Sequence, residues 1–132
     1  MNPTSEDIKD LLAGETSLGL EYATNLFVNE IPEDATRPAV GIYAVPGETR
    51  DLAVDIETPY VQIRVEGAAQ KSVAAEQLLI DVCDFLHGQH NVTQGGARYL
   101  VLQVVSEIML VAWDERNRPI FSAQLKAMRT PA

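Results

Sequence analysis

Cys83 and His87 stand four residues apart, so on a helix the thiol and the imidazole would share a face as nucleophile and general base. That chemistry also needs a third group to orient the imidazole and donors for the oxyanion. A lone cysteine is commonly a small buried hydrophobe, and a histidine in a last helical turn suits the negative end of the helix dipole; the pair reads that way. Asp84, His87 and His90 could ligate a metal, but Gly88 breaks the helix between the two histidines, and the paired Cys or His of zinc spacings are missing. Gly95-Gly96 lacks the strand-Gly-x-Gly-x-x-Gly-helix setting that cradles a phosphate and reads as a flexible entry to a strand. Asp114 and Glu115 could act as acid and base, yet they sit in a turn, where acids are favoured for local hydrogen bonding. The residues therefore predict no enzyme, no catalytic residue, no cofactor and no metal.

The elements around these residues describe a small scaffold. Thr4 with Asp7 three residues on resembles a capping box, and Ile8, Leu11 and Leu12 form the stripe of a short helix that should stop at Gly14. Thr24 to Glu30 and Ala39 to Ala44 read as strands bounded by Pro32 and Pro38. Val45 to Thr58, with Pro46-Gly47 and five charges, reads as a long loop or arm whose tip is a candidate contact surface. Tyr60 to Glu66 alternates, Val61, Ile63 and Val65 against Gln62, Arg64 and Glu66, so one face is buried and one wet. A long helix is expected from about Ala69 to His87, carried by Ala75, Leu78, Leu79, Val82, Phe85 and Leu86 and ended by Gly88. A polar loop from Gly88 to Ala97 should lead to strands at Tyr99 to Val105, Glu107 to Trp113 and Pro119 to Met128. The last two flank the turn Asp114-Glu115-Arg116-Asn117-Arg118. Consecutive strands on either side of one long helix predict a single α+β domain over residues 1–132, with a mostly antiparallel sheet of about six strands.

Length and charge narrow the partners. A chain of 132 residues fits one domain with a real core, and 46% hydrophobic with 22% charged residues is ordinary for a folded protein. The net charge of -9 is concentrated in residues 1–36, where eight acids face Lys9 alone. Such a balance opposes wrapping of nucleic acid, whose affinity comes from clustered Lys and Arg. The single cysteine allows no internal disulfide, the start lacks the basic and apolar regions of a signal peptide, and Gln103, Ser106 and Glu107 interrupt the longest apolar stretch. Folding in a cytosol and no membrane insertion are expected.

In order and type, these motifs resemble the tail terminator proteins of long-tailed bacteriophages, the minor capsid or head-tail completion proteins. The resemblance is carried by Leu26-Phe27-Val28 after an N-terminal helix, by Pro38-Ala39-Val40-Gly41-Ile42-Tyr43 with Pro46-Gly47, and by Pro59-Tyr60-Val61-Gln62-Ile63-Arg64-Val65 before the long helix. Leu86-His87-Gly88 closes that helix, and Asp114 to Leu125 forms the final hairpin, with Arg129 beyond it. Two positions depart from the pattern: Pro46-Gly47 stands where a glycine pair is usual, and an aromatic usual at the helix start is missing near Lys71. The resemblance implies a homo-oligomeric ring, usually of six subunits in the family, assembled in the host cytoplasm and resident at the tail-head junction of the virion. Its partners would be the tail tube protein and a head connector or stopper, with DNA passing through unbound. Pro46, Gly47, Glu48, Arg50, Asp51, Asp55 and Glu57 are the candidate interface, and Asp51, Asp55, Asp114 and Glu115 are candidates to line an acidic lumen. Another neck protein, or a small-ligand-binding α+β domain with its site between helix and sheet, are the alternatives.

Overall fold

The structure, a computed structural model, describes residues 1–51 and 53–132; Leu52, inside the expected arm, lies outside the described residues. Its elements are α1 (Thr4–Gly14), a 3-10 turn (Thr16–Leu18), β1 (Leu26–Val28), β2 (Ala39–Glu48), β3 (Thr58–Glu66), α2 (Ser72–Leu86), β4 (His90–Gln94), β5 (Ala97–Val104), β6 (Met109–Trp113) and β7 (Pro119–Pro131). The architecture is α+β, as expected, with seven strands rather than about six. The sheet runs β1-β2-β3-β7-β5-β4, and β6 pairs with β7 beside the end of β5. Every ladder is antiparallel except β1 with β2, which makes the sheet mixed.

β7 organises the rest. One of its edges takes β3, with Glu66 opposite Ile120 and Tyr60 opposite Lys126. Its other edge takes β6 along its first residues and β5 along its last, so β5, β6 and β7 form one long hairpin broken near Ser106. At that break the Val105 N–H still reaches Gln124 O (3.0 Å), and Ser106 Oγ accepts from the Gln124 N–H at 2.7 Å. Strict alternation sends Phe121, Ala123, Leu125 and Ala127 to one face, in line with Val61, Ile63 and Val65 of β3 and Val40 and Ile42 of β2.

Both helices cover that face, α1 over β1 to β3 and α2 over β3, β5 and β7. Ile8 and Leu12 of α1 and Ala75, Leu79, Val82 and Leu86 of α2 are fully buried in the core. Each such aliphatic side chain contributes roughly 1.5–3 kcal/mol through removal from water. The opposite face is polar and less covered; Arg64 lies 5.2 Å from the centroid of the Tyr43 ring.

Several boundaries differ from the sequence reading, each for a local reason. β2 continues through Pro46, Gly47 and Glu48, which reaches Thr58, so the irregular part of the arm is 49–57. Pro46 is accommodated because the register shifts between Val45 and Glu48, where the ladder needs no donor. Residues Gly67 and Gln70 bond to Pro119 O and Asn117 O (2.8 Å each), which holds the chain against the β6–β7 turn and delays α2 from Ala69 to Ser72. The expected strand Thr24 to Glu30 shrinks to Leu26–Val28. The expected loop Gly88 to Ala97 contains β4, closed on β5 by Gly95 and Gly96 at φ 59° and 79°. Positive φ at both positions is the two-residue hairpin turn that glycine pairs favour. The capping box does not form: the Pro3 carbonyl opens α1 by accepting from Glu6 and Asp7 N–H, and the Asp7 carboxylate turns into the protein.

Candidate functional site

The arm is anchored at its base by the end of β7. Glu57 and Arg129 exchange both backbone hydrogen bonds (2.8 and 2.9 Å), and Arg129 Nε donates to Glu57 Oε1 at 2.8 Å. Arg50, on the other limb of the arm, pairs with Glu57 Oε2. The Arg50 hydrogen bond, reinforced by Arg129 against the cost of burial, holds the Glu57 carboxyl below its ordinary value.

Behind this anchor lies a buried polar network. Arg129 Nη1 donates to Asn2 O (2.7 Å) and to Tyr99 Oη (3.1 Å), and lies 3.6 Å from Asp7 Oδ2. The Tyr99 hydroxyl donates to Asp7 Oδ2 at 2.5 Å, and both residues are wholly inaccessible. Burial pushes the Tyr99 phenol up to about 12, with the neighbouring Asp7 adding to the shift. Burial likewise raises the Asp7 carboxyl, an effect that Tyr99 and Arg129 oppose. Asp7 Oδ1 has no hydrogen-bond partner among the described residues, and a Cβ at Gly95 would stand 2.0 Å from it. One network thus joins α1, the base of the arm, the β4–β5 turn and both long central strands.

The remaining interface candidates divide. Gly47 sits where a Cβ would come 2.6 Å from Thr58 O, so this position serves close backbone approach. Glu48 Oε1 accepts from the Tyr60 hydroxyl (3.1 Å) and faces Lys126 Nζ at 3.6 Å. Asp51 Oδ1 accepts the Ala53 N–H at 2.8 Å, while Asp55 is exposed. The four acids proposed for a lumen are not gathered within one subunit. Asp51 and Asp55 lie in the arm, anchored near Arg129; Asp114 and Glu115 lie in the turn before Pro119, at the far end of β7. Asp114 spends its carboxylate on that turn, accepting from Arg116 and Arg118 N–H (2.9 Å each) and from Arg118 Nε at 2.6 Å. Arg118 and Arg116 also pair with Glu33 (3.1 and 2.8 Å), which ties the turn to the loop before β2.

Cys83 and His87 do line one groove of about 340 Å³, with Asp84, Val104, Ser106 and Ile108. Burial pushes the thiol up to about 11, far from a thiolate at neutral pH. His87 Nδ1 accepts the Val104 N–H (2.9 Å), so its ring covers a strand edge. Among the described residues no three of His, Cys, Asp and Glu are grouped to hold a metal ion.

The expected strand Glu107 to Trp113 forms as β6, but its exposure is what sequence reasoning passed over. Apolar enough for a core, it is exposed at all five positions, with Met109, Leu110, Val111 and Trp113 at 61, 45, 51 and 48% exposure. Its ladder to β7 shifts register between Leu110 and Ala112, and an apolar edge strand in solvent is a template for pairing with another chain. The buried network was also missed, although two signals announced it. Continued alternation in β7 puts Arg129 on the apolar face after Ala127, and helical spacing puts Asp7 beside Ile8 on the buried stripe of α1.

No curated protein matches the chain. Among solved structures, its fold is similar to that of a chain in the virion of a native gene transfer agent (GTA) particle, with a TM-score of 0.70 at 14% identity, over 97% of this chain and 94% of that one. Residues 6–131 match the family described as bacteriophage tail terminator protein. With nearly its whole length matched, the chain belongs to the bacteriophage tail terminator protein family.

Proposed function

We propose that this structural tail protein assembles into a closed ring, a hexamer, that caps the tail tube, stops its polymerisation and presents a surface to the head connector or stopper. The observation that carries the reading is the exposed apolar strand β6. In a chain of net charge -9, copies repel one another through most of their surface, and β6 with Ile108 is free of charge between Glu107 and Asp114. A ring requires two different patches on each subunit that meet head to tail and close by rotation. The anchored arm, with Pro46 to Glu57 at its two limbs, supplies a second patch distinct from β6. Asp51 and Asp55 at one corner of the subunit and Asp114 and Glu115 at the other would alternate around such a ring, and acids facing the lumen would keep DNA phosphates moving without binding. The function needs no bond made or broken and no cofactor. No helix among the described residues is long and apolar enough to cross a membrane.

Electron microscopy of the purified protein, alone and added to cognate tail tubes, tests this directly. Rings at one tube end, with elongation halted, are the expected result. Tubes that keep growing with bare ends would end the terminator reading.

A further inference from the structure

The outer edge of β5 is covered residue by residue. β4 pairs with it as far as Val101, Gly88 N–H and Gln89 O serve Leu102 (2.8 and 2.9 Å), and His87 Nδ1 serves the Val104 N–H at 2.9 Å. There the cover stops. Beyond the break at Ser106, β6 pairs with β7 on one side and meets no strand on the other among the described residues. The edge left open carries the most exposed apolar side chains of the sheet.

The same chain holds a segment of complementary kind. In the arm, the Val54 and Asp55 backbone N–H groups have no partner among the described residues, and Val54 is 49% exposed beside Ala53 and Ile56. The base is fixed by the Glu57–Arg129 pair, so the segment is presented on a firm mount. The segment bends at Ala53, Val54 and Asp55, with Ala53 N–H held by Asp51 Oδ1 and Ile56 N–H by Val54 O (2.8 and 2.9 Å), so it straightens on pairing. Free N–H groups meeting an open strand edge are what strand addition uses, main-chain bonds giving affinity and alternate side chains specificity.

The arm cannot reach β6 of its own subunit. It is anchored at Arg129 on the β3 side of β7, whereas β6 pairs with Pro119 to Ser122 on the other side. Along β7 alone, Ser122 and Arg129 are separated by roughly 23 Å at strand spacing. The loop 49–57, going out and returning, extends no more than roughly 15 Å from its base. The two elements lie at opposite ends and on opposite edges of β7, and so are two different patches of the kind a head-to-tail contact between identical subunits requires.

We infer that Ala53–Ile56 of one copy adds as a strand to the free edge of β6 in the next copy, and that this contact closes the ring. The inference rests on the ring reading above and specifies its interface. It is tested by cysteine pairs in the full-length chain on cognate tail tubes, with Val54→Cys and Val111→Cys together, each alone, and the two single variants mixed. On oxidation the double variant should shift from a monomer band to a ladder of multimers, the mixture should stop at dimers, and each single variant and the parent with buried Cys83 should stay monomeric on a denaturing gel. Rings visible at tube ends without a ladder, or Val111→Cys alone giving symmetric dimers, would overturn this contact and leave the ring intact. Absence of rings from every preparation would overturn both. Val111→Lys provides the second arm: it should keep the melting temperature of the free chain and lose end-capping, and capping as efficient as the parent's would overturn the contact.

Discussion

Glu57 and Arg129 are joined three ways, by two backbone hydrogen bonds and by a side-chain ion pair at 2.8 Å, so the base of the arm is part of the last strand's edge. Seventy-two residues separate them in sequence. A projecting segment can contribute to an interface only if its root does not move, because ordering a loose loop on binding costs affinity. The pair supplies that root.

Glu57→Gln should lower stability by roughly 1.5–3 kcal/mol, the range for hydrogen bonds to charged groups, since Arg50 and Arg129 both lose their carboxylate. The pH dependence has a definite sign. The folded-state value of Glu57 lies below 4.5, so its contribution is complete above that pH and is lost as pH falls through the lower folded value. Urea titrations of parent and variant should show a constant gap at neutral pH that closes on acidification; a gap that did not close would show that the ion pair is not its source.

Tyr99→Phe removes the hydroxyl that donates to Asp7 Oδ2 and leaves a buried carboxylate whose other oxygen is already without a partner among the described residues. The expected cost is roughly 1–3 kcal/mol. Because Asp7 titrates above 3.8 in the fold, folding takes up a proton there, and the burden of its charge is relieved as pH falls through the folded value. The deficit of Tyr99→Phe should therefore be largest at neutral pH and smaller in acid, as read from melting temperatures over a pH series.

Gly95 and Gly96 both have positive φ, yet they should respond differently to alanine. Gly96 has space, its nearest neighbour to a new Cβ being Met1 Cα at 3.7 Å, so Gly96→Ala costs only the backbone strain of about 1 kcal/mol. Gly95→Ala adds a collision with Asp7 Oδ1 at 2.0 Å and should cost clearly more, displacing α1 from the sheet. Equal melting temperatures for the two variants would mean that the turn and the buried carboxylate are not in contact.

The sequence exposes the core more readily than the candidate interface. Alternation through Val61, Ile63 and Val65 and the stripe through Ala75, Leu79, Val82 and Leu86 mark buried faces because period and packing agree. β4 is hidden because His90-Asn91-Val92-Thr93-Gln94 places a single aliphatic in a strand held by pairing rather than by burial. β6 misleads in the opposite sense. Its five apolar residues resemble a core strand, and only the long β7, which pairs with β5 along its last residues and leaves β6 with one neighbour among the described residues, exposes them. In the arm, Pro46-Gly47 marks the end of β2 rather than the loop itself, and the anchoring partner of Glu57, Arg129, lies too far along the chain for any local pattern to name.

Cys83 offers a chemical check on the buried face of α2. The residue is 6% exposed, and burial has pushed its thiol up to about 11, which leaves a thiolate fraction of roughly one in a thousand at pH 8. Iodoacetamide should therefore leave the native protein unmodified over hours and label it fully in urea, as followed by mass. Adjacent His87 does not change this expectation, because its Nδ1 accepts the Val104 N–H and is not free to take a proton from sulfur. Rapid labelling under native conditions would require a thiol activated by a neighbour, and would reopen the nucleophile reading that the spacing of Cys83 and His87 first suggested.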